Sequence, residues 1–296
     1  MKIFAILILT VTSFSFIGCV SAQTNKRKTA EKSKSKTTKP MNNQPIAEPT
    51  NGEIKILAEG FYGSLETPFI FVARSEETYA QLQKFVENLP PAATIDFTKS
   101  AIVAAFAGTK NTGGYSVSVK KAADKILVNV VEPPKDAMTT DALTTPFVIS
   151  RVAIEEENFL PLEVSKNWKD AVRTYKITSG AFESSGGLAG KLKKFNAEGT
   201  VGVLTFGDYA TFFFNFSGKG ADKNLRLTET ASGVLKNGNV ELTRLDAGSF
   251  AEGPKPPLKV SGKITGDKIS LKFEPLPTRA ADGFQVGGKI EAVVIK

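Results

Sequence analysis

Two ten-residue stretches near the C-terminus, GVLKNGNVEL at 233–242 and GKITGDKISL at 262–271, repeat one pattern 29 positions apart. Gly233 answers Gly262, Leu235 answers Ile264, and Leu242 answers Leu271. Each stretch breaks an apolar alternation with a two-residue turn. Asn237-Gly238 suits a type I′ turn and Gly266-Asp267 a type II′ turn, the connections whose twist matches that of paired antiparallel strands. Chain written this way folds as successive hairpins of one meander, and a closing strand at 288–295 completes it.

The same period runs through residues 209–217, YATFFFNFS. Ala210, Phe212, Phe214 and Phe216 fall on one face, and Thr211, Asn215 and Ser217 on the other. Residues 175–296 are therefore expected to form an antiparallel β-barrel or sandwich, with the barrel favoured. A small barrel fills its interior with side chains. A wider one would make Phe212, Phe214 and Phe216 the lining of a lipocalin-like pocket for an apolar ligand.

Residues 52–165 read differently, as an α+β domain with one helix. Ile54 and Phe69 open apolar runs that suit strands. Ser75 precedes Glu76 and Glu77, an N-cap with negative charge in the first turn. Tyr79, Leu82, Phe85, Val86 and Leu89 then follow at helical spacing until Pro90-Pro91. After the prolines the period shortens. Residues 101–107, AIVAAFA, suit a strand buried on both faces, and strands are expected again at 115–119, 126–131 and 146–154. The fold class is mainly β throughout. The boundary between the two domains falls among residues 156–180, where Trp168 is expected to be a packing residue.

The segment GTKNTGGYSV at 108–117 joins two of these strands. A phosphate cradle needs a helix N-terminus behind the glycines, and no helix follows here. The expectation is instead a hairpin turn in which Gly113 and Gly114 take positive φ, Thr112 bonds the turn backbone, and Tyr115 begins the next strand. Lys110 and Asn111 are left exposed by that turn. Lys110, Asn111, Thr112, Gly113, Gly114 and Tyr115 are the candidate partner-binding residues.

Asp96-Phe97, AFAGTKNTGGYSVSV, ILVNVVEPP and DALTTPFVISRV together resemble the C-terminal domain of the PrcB family of bacterial protease-complex subunits, over roughly residues 55–155. Gly108, residues 112–115, Thr144 and Pro146 carry most of the likeness. The sequence departs from the family pattern at Phe147-Val148, where an aromatic followed by a polar residue is expected. The resemblance implies an exported, often lipid-anchored, non-catalytic domain that associates with a protein partner, a secreted protease in the subunit that names the family.

The first fifty residues agree with export. Lys2 is followed by an uncharged apolar run, so residues 1–22 read as a signal peptide. Cleavage before Gln23 competes with a lipoprotein signal ending before Cys19, the one cysteine in the chain and the lipidation candidate. No disulfide forms within the mature chain. Residues 1–50 hold eight basic residues against Glu31 and Glu48, which leaves +2 of the total +8 for residues 51–296. Residues 23–50 are a polar, basic linker expected to stay disordered. Its charge is not interleaved with aromatics, so nucleic acid is not an expected partner.

The chain contains no histidine. That removes Ser-His-Asp and Cys-His nucleophiles and the commonest zinc ligands. The expectation is a protein without catalytic residues, metal or cofactor, with Asp96 and Asp141 as turn or capping residues. It acts in the cell envelope, as a lipoprotein or as a periplasmic or secreted protein.

Overall fold

The structure is a computed structural model that describes residues 54–122, 125–154, 161–185, 194–219, 224–246, 257–276 and 285–295. The signal segment 1–22, Cys19 and the linker 23–50 lie outside the described residues. All described residues belong to one compact unit, Met41–Lys296.

The first half is built on a four-stranded antiparallel sheet in the order β1-β6-β3-β2, from β1 (Ile54–Gly60), β2 (Pro68–Ala73), β3 (Ser100–Ala107) and β6 (Phe147–Ala153). Every residue of β3 is buried, as its uninterrupted apolar run predicts. A second sheet orders β4 (Ser116–Lys121), β5 (Ile126–Val131) and β7 (Leu162–Val164), with β5 and β7 parallel. Thus β3 and β4 belong to different sheets. The expected hairpin at residues 108–115 is a crossover between sheets.

Helix α1 (Glu76–Leu82) begins where the sequence places it, with the Ser75 hydroxyl accepting the Thr78 N–H at 3.2 Å. It ends seven residues before the expected stop at Leu89. Tyr79 donates its hydroxyl to the Pro90 carbonyl at 2.9 Å, Gln83 reaches the same oxygen at 3.1 Å, and Asn88 takes φ 59°. The chain therefore folds back in turns while Phe85 stays packed, edge-on to Phe71 at 5.5 Å. A second, four-residue helix, α2 (Lys166–Lys169), was not expected.

The second half is a closed antiparallel barrel. Its strands are β8 (Arg173–Ser185), β9 (Lys194–Phe206), β10 (Tyr209–Lys219), β11 (Asn224–Lys236), β12 (Asn239–Asp246), β13 (Pro257–Thr265), β14 (Lys268–Pro275) and β15 (Gln285–Val294). Each strand pairs with its neighbour in sequence, and β15 pairs with β8 to close the ring. Asn237 and Gly238 both take positive φ, as a type I′ turn requires, whereas at Gly266-Asp267 only the glycine does. The 29-residue echo is a true structural repeat. Leu235 pairs with Val240 and Ile264 with Ile269, so both hairpins share one register.

Phe212, Phe214 and Phe216 are buried inside the barrel, where they pack on one another and on Phe182 and Phe273 with ring centroids 5.7–6.3 Å apart. These rings thus pack as side chains do in the filled interior of a small barrel.

The opposite face of β10 corrects a simpler expectation. Asn215 and Ser217 are exposed, but Thr211 is buried. The barrel wall here covers the free edge of β2, and Leu204, Phe206, Tyr209 and Phe213 join the core of the first half. The Val72 N–H donates to Ser232 Oγ at 2.8 Å and the Thr211 hydroxyl donates to the Ile70 carbonyl. Beside them Arg74 and Glu229 form an ion pair at 3.2 Å, each side chain 5% exposed, and Thr78 meets Thr243 at 2.8 Å. The two halves thus share one hydrophobic and polar seam.

Candidate docking rim

At one end of the four-stranded sheet three loops interlock. β1 runs into Glu59-Gly-Phe-Tyr-Gly63, β3 runs into the 108–115 crossover, and residues 132–146 return the chain to β6. Gly108 takes φ 71°, and a side chain there would meet Pro68 at 2.8 Å and the Glu66 carbonyl at 2.9 Å, so only glycine lets the loop leave the strand.

Backbone pairing ties the loops together. Lys110 and Thr144 exchange N–H···O bonds at 2.7 and 3.0 Å, Gly113 donates to the Thr140 carbonyl at 2.9 Å, and Thr145 donates to Phe61 at 2.8 Å. The Thr144 hydroxyl donates to the Thr112 carbonyl at 3.0 Å. Thr112 is thus bonded into the loop through its own carbonyl, which accepts from Thr144. Gly114 has φ 83°, but Gly113 does not take positive φ, which corrects half of the expected glycine pair.

Lys110 is only half exposed. Its ammonium lies 5.8 Å from the Tyr115 ring and donates to Asn167 Oδ1 at 2.5 Å. Burial lowers its pKa, and the nearby Glu132 carboxylate opposes that shift. Asn167 and Trp168 belong to α2 and fasten it to the end of β3. Asn167 Nδ2 donates to the Ala107 carbonyl at 3.1 Å and Trp168 Nε1 to Phe106 at 2.9 Å. Trp168 is fully buried, so the packing role expected from sequence is the one it has. Of the candidate residues, Asn111 and Gly114 are exposed, Thr112 and Tyr115 half-buried, and Gly113 buried.

The sequence reading missed the apolar part of this rim. Phe61 is 52% exposed, Tyr62 74%, Leu143 67%, and Met138 fully. The signal was two adjacent aromatics bracketed by glycines. Gly60 and Gly63 both sit against the Phe147 ring, at 3.0 Å for an added side-chain carbon, so the ring occupies the inner position and Phe61-Tyr62 are turned outward. Phe147 itself stacks on Phe106 at 6.0 Å.

Among the described residues no three His, Cys, Asp or Glu side chains group as metal ligands. Asp96 is a turn residue: its carboxylate accepts the Thr98 N–H at 2.9 Å and the Thr98 hydroxyl at 2.5 Å, bonds that lower its pKa. A groove of about 590 Å³ lies over β8, β13, β14 and β15, rimmed by Glu183, Ser261, Lys272 and Lys289, and none of Phe212, Phe214 and Phe216 lines it.

Residues 101–153 match the model of a family described as PrcB C-terminal. The matched stretch runs from β3 to β6 and contains the crossover, Thr144 and Pro146, but neither β1, β2 nor the barrel. No curated protein and no solved structure matches the chain.

Proposed function

We propose that this chain is an exported, non-catalytic cell-envelope protein that holds a protein partner, with a secreted protease as the leading candidate, through the rim of its PrcB-like half. The observation that carries this reading is the rim itself. Four large apolar side chains stand in solvent on two loops fixed by backbone hydrogen bonds, one of which, residues 132–146, lies within the matched family segment. Exposed apolar groups on a rigid frame suit protein association, because little conformational entropy remains to be lost on binding. The mechanism is docking rather than turnover. Lipidation at Cys19 would hold the assembly at the membrane, with residues 23–50 as the tether.

A photo-crosslinking residue placed at Tyr62 or Asn111, and as a control at Asn237 on a barrel hairpin, tests the reading in the producing cells. The expected result is one specific adduct from the rim positions and none from Asn237. Equal adducts from all three positions, or none from the rim, would overturn it.

A further inference from the structure

Resting on that docking reading, we infer that the rim takes a partner segment in which apolar side chains are flanked by Lys or Arg. The observation is the charge that borders the apolar cluster. Glu59, Glu66, Glu132, Asp136 and Asp141 are all exposed on the three loops or at their entrance. The opposing charges on these loops are Lys110 and Lys135, and Lys110 is turned to Asn167 and Tyr115; α2 beside them adds Lys166 and Lys169, with Lys166 paired to Asp170. Five carboxylates around four apolar side chains stand on a body that sums to +2 over residues 51–296, so the acidity is local to the rim.

The two features have different work. The apolar side chains supply affinity when buried against a partner. The carboxylates stand on the same loops as the apolar side chains or at their entrance, and exposed charges within about one Debye length, roughly 10 Å, of a docked segment steer a cationic one and repel an acidic one. The partner in this reading presents a basic, apolar segment and not an acidic or uniformly polar one.

Random twelve-residue peptides displayed on phage, selected on the full chain and counter-selected on a Tyr62→Ser/Met138→Ser/Leu143→Ser variant, test this directly. All three positions are exposed, so the variant should keep the fold, which circular dichroism checks. The expected outcome is enrichment of peptides that combine aromatic or aliphatic residues with net positive charge. Their affinity falls about tenfold in Glu132→Lys/Asp141→Lys and falls again with added salt. Acidic or neutral winners, affinity indifferent to salt and charge reversal, or no enrichment over the variant would each overturn the inference. Affinity that rises only when residues 23–50 are deleted would make this chain's own basic stretch the occupant and overturn the assignment to a partner. A crosslinked partner whose yield is unchanged in Glu132→Lys/Asp141→Lys would remove the charge argument and leave docking standing. Loss of rim crosslinks altogether removes docking itself.

Discussion

Ser232 Oγ accepts the backbone N–H of Val72 at 2.8 Å, joining residues 160 positions apart in the chain. It also meets the Thr211 hydroxyl at 2.7 Å, and Thr211 serves the Ile70 carbonyl. The edge of a sheet is normally a row of unpaired groups open to another strand. Here two hydroxyls on a barrel wall fill those positions.

Removing either hydroxyl leaves a buried backbone group without its partner. Ser232→Ala and Thr211→Val should each cost about 1–3 kcal/mol. Because the hydroxyls form one network, the double variant should lose less than the sum of the two. Urea unfolding of the three proteins measures this, and strictly additive losses would show two independent contacts.

Trp168 and Asn167 hold α2 on the end of β3 and, through Lys110, hold the crossover. Trp168→Phe keeps a ring but deletes the bond to Phe106, for an expected loss of about 1–3 kcal/mol. Asn167→Ala should cost less globally but loosen residues 108–115. Amide exchange resolved along the chain should show faster exchange at Lys110 and Gly113 in the Asn167 variant, while the β3 amides stay protected.

The two central glycines of the crossover should respond differently to alanine. Gly114 has φ 83° and an added carbon would lie 2.9 Å from Pro133, so Gly114→Ala meets both backbone strain and a clash, worth about 1–2 kcal/mol or more. At Gly113 the obstacle is the Thr140 hydroxyl, which is free to rotate away, and φ is ordinary. Gly113→Ala should be the milder change. Thermal midpoints in the opposite order would refute this account of the loop.

Asp96 sets a direction for acid sensitivity. Thr98 bonds the ionised carboxylate in the folded protein, so its folded pKa lies below the unfolded value. The stabilisation is present above the ordinary aspartate value of about 3.9 and is lost as pH falls through the folded value. Wild type should therefore exceed Asp96→Ala in stability near neutrality, and the gap should narrow as pH falls below the ordinary aspartate value. Urea midpoints at the two ends of this range give the comparison, and a gap that widened in acid would contradict it.

The strands, turns and packed phenylalanines were legible because each depends on local period or on a dipeptide with one favoured backbone. The seven buried residues of the AIVAAFA run and the Asn237-Gly238 turn are the clearest cases. What lay beyond local pattern was destination. The residues 108–115 mark a turn of chain, but nothing in them says that the next strand enters another sheet. Thr211 sits on the polar face by alternation, yet its burial depends on β2, which precedes it by more than 130 residues. The rim was obscured for a related reason. Gly-Phe-Tyr-Gly reads as the end of a strand, and only the Phe147 ring beneath it turns the aromatics toward solvent.

The order in which the seam is made carries a burden for biosynthesis. As the polypeptide leaves the ribosome, β2 emerges 141 and 160 residues ahead of the two hydroxyls that quench its edge. Until those arrive, the newborn chain displays an apolar ribbon open to any neighbouring nascent copy. Stalled translation anywhere between Ala73 and Thr211 would thus yield fragments in which neither hydroxyl is yet present to cover that ribbon.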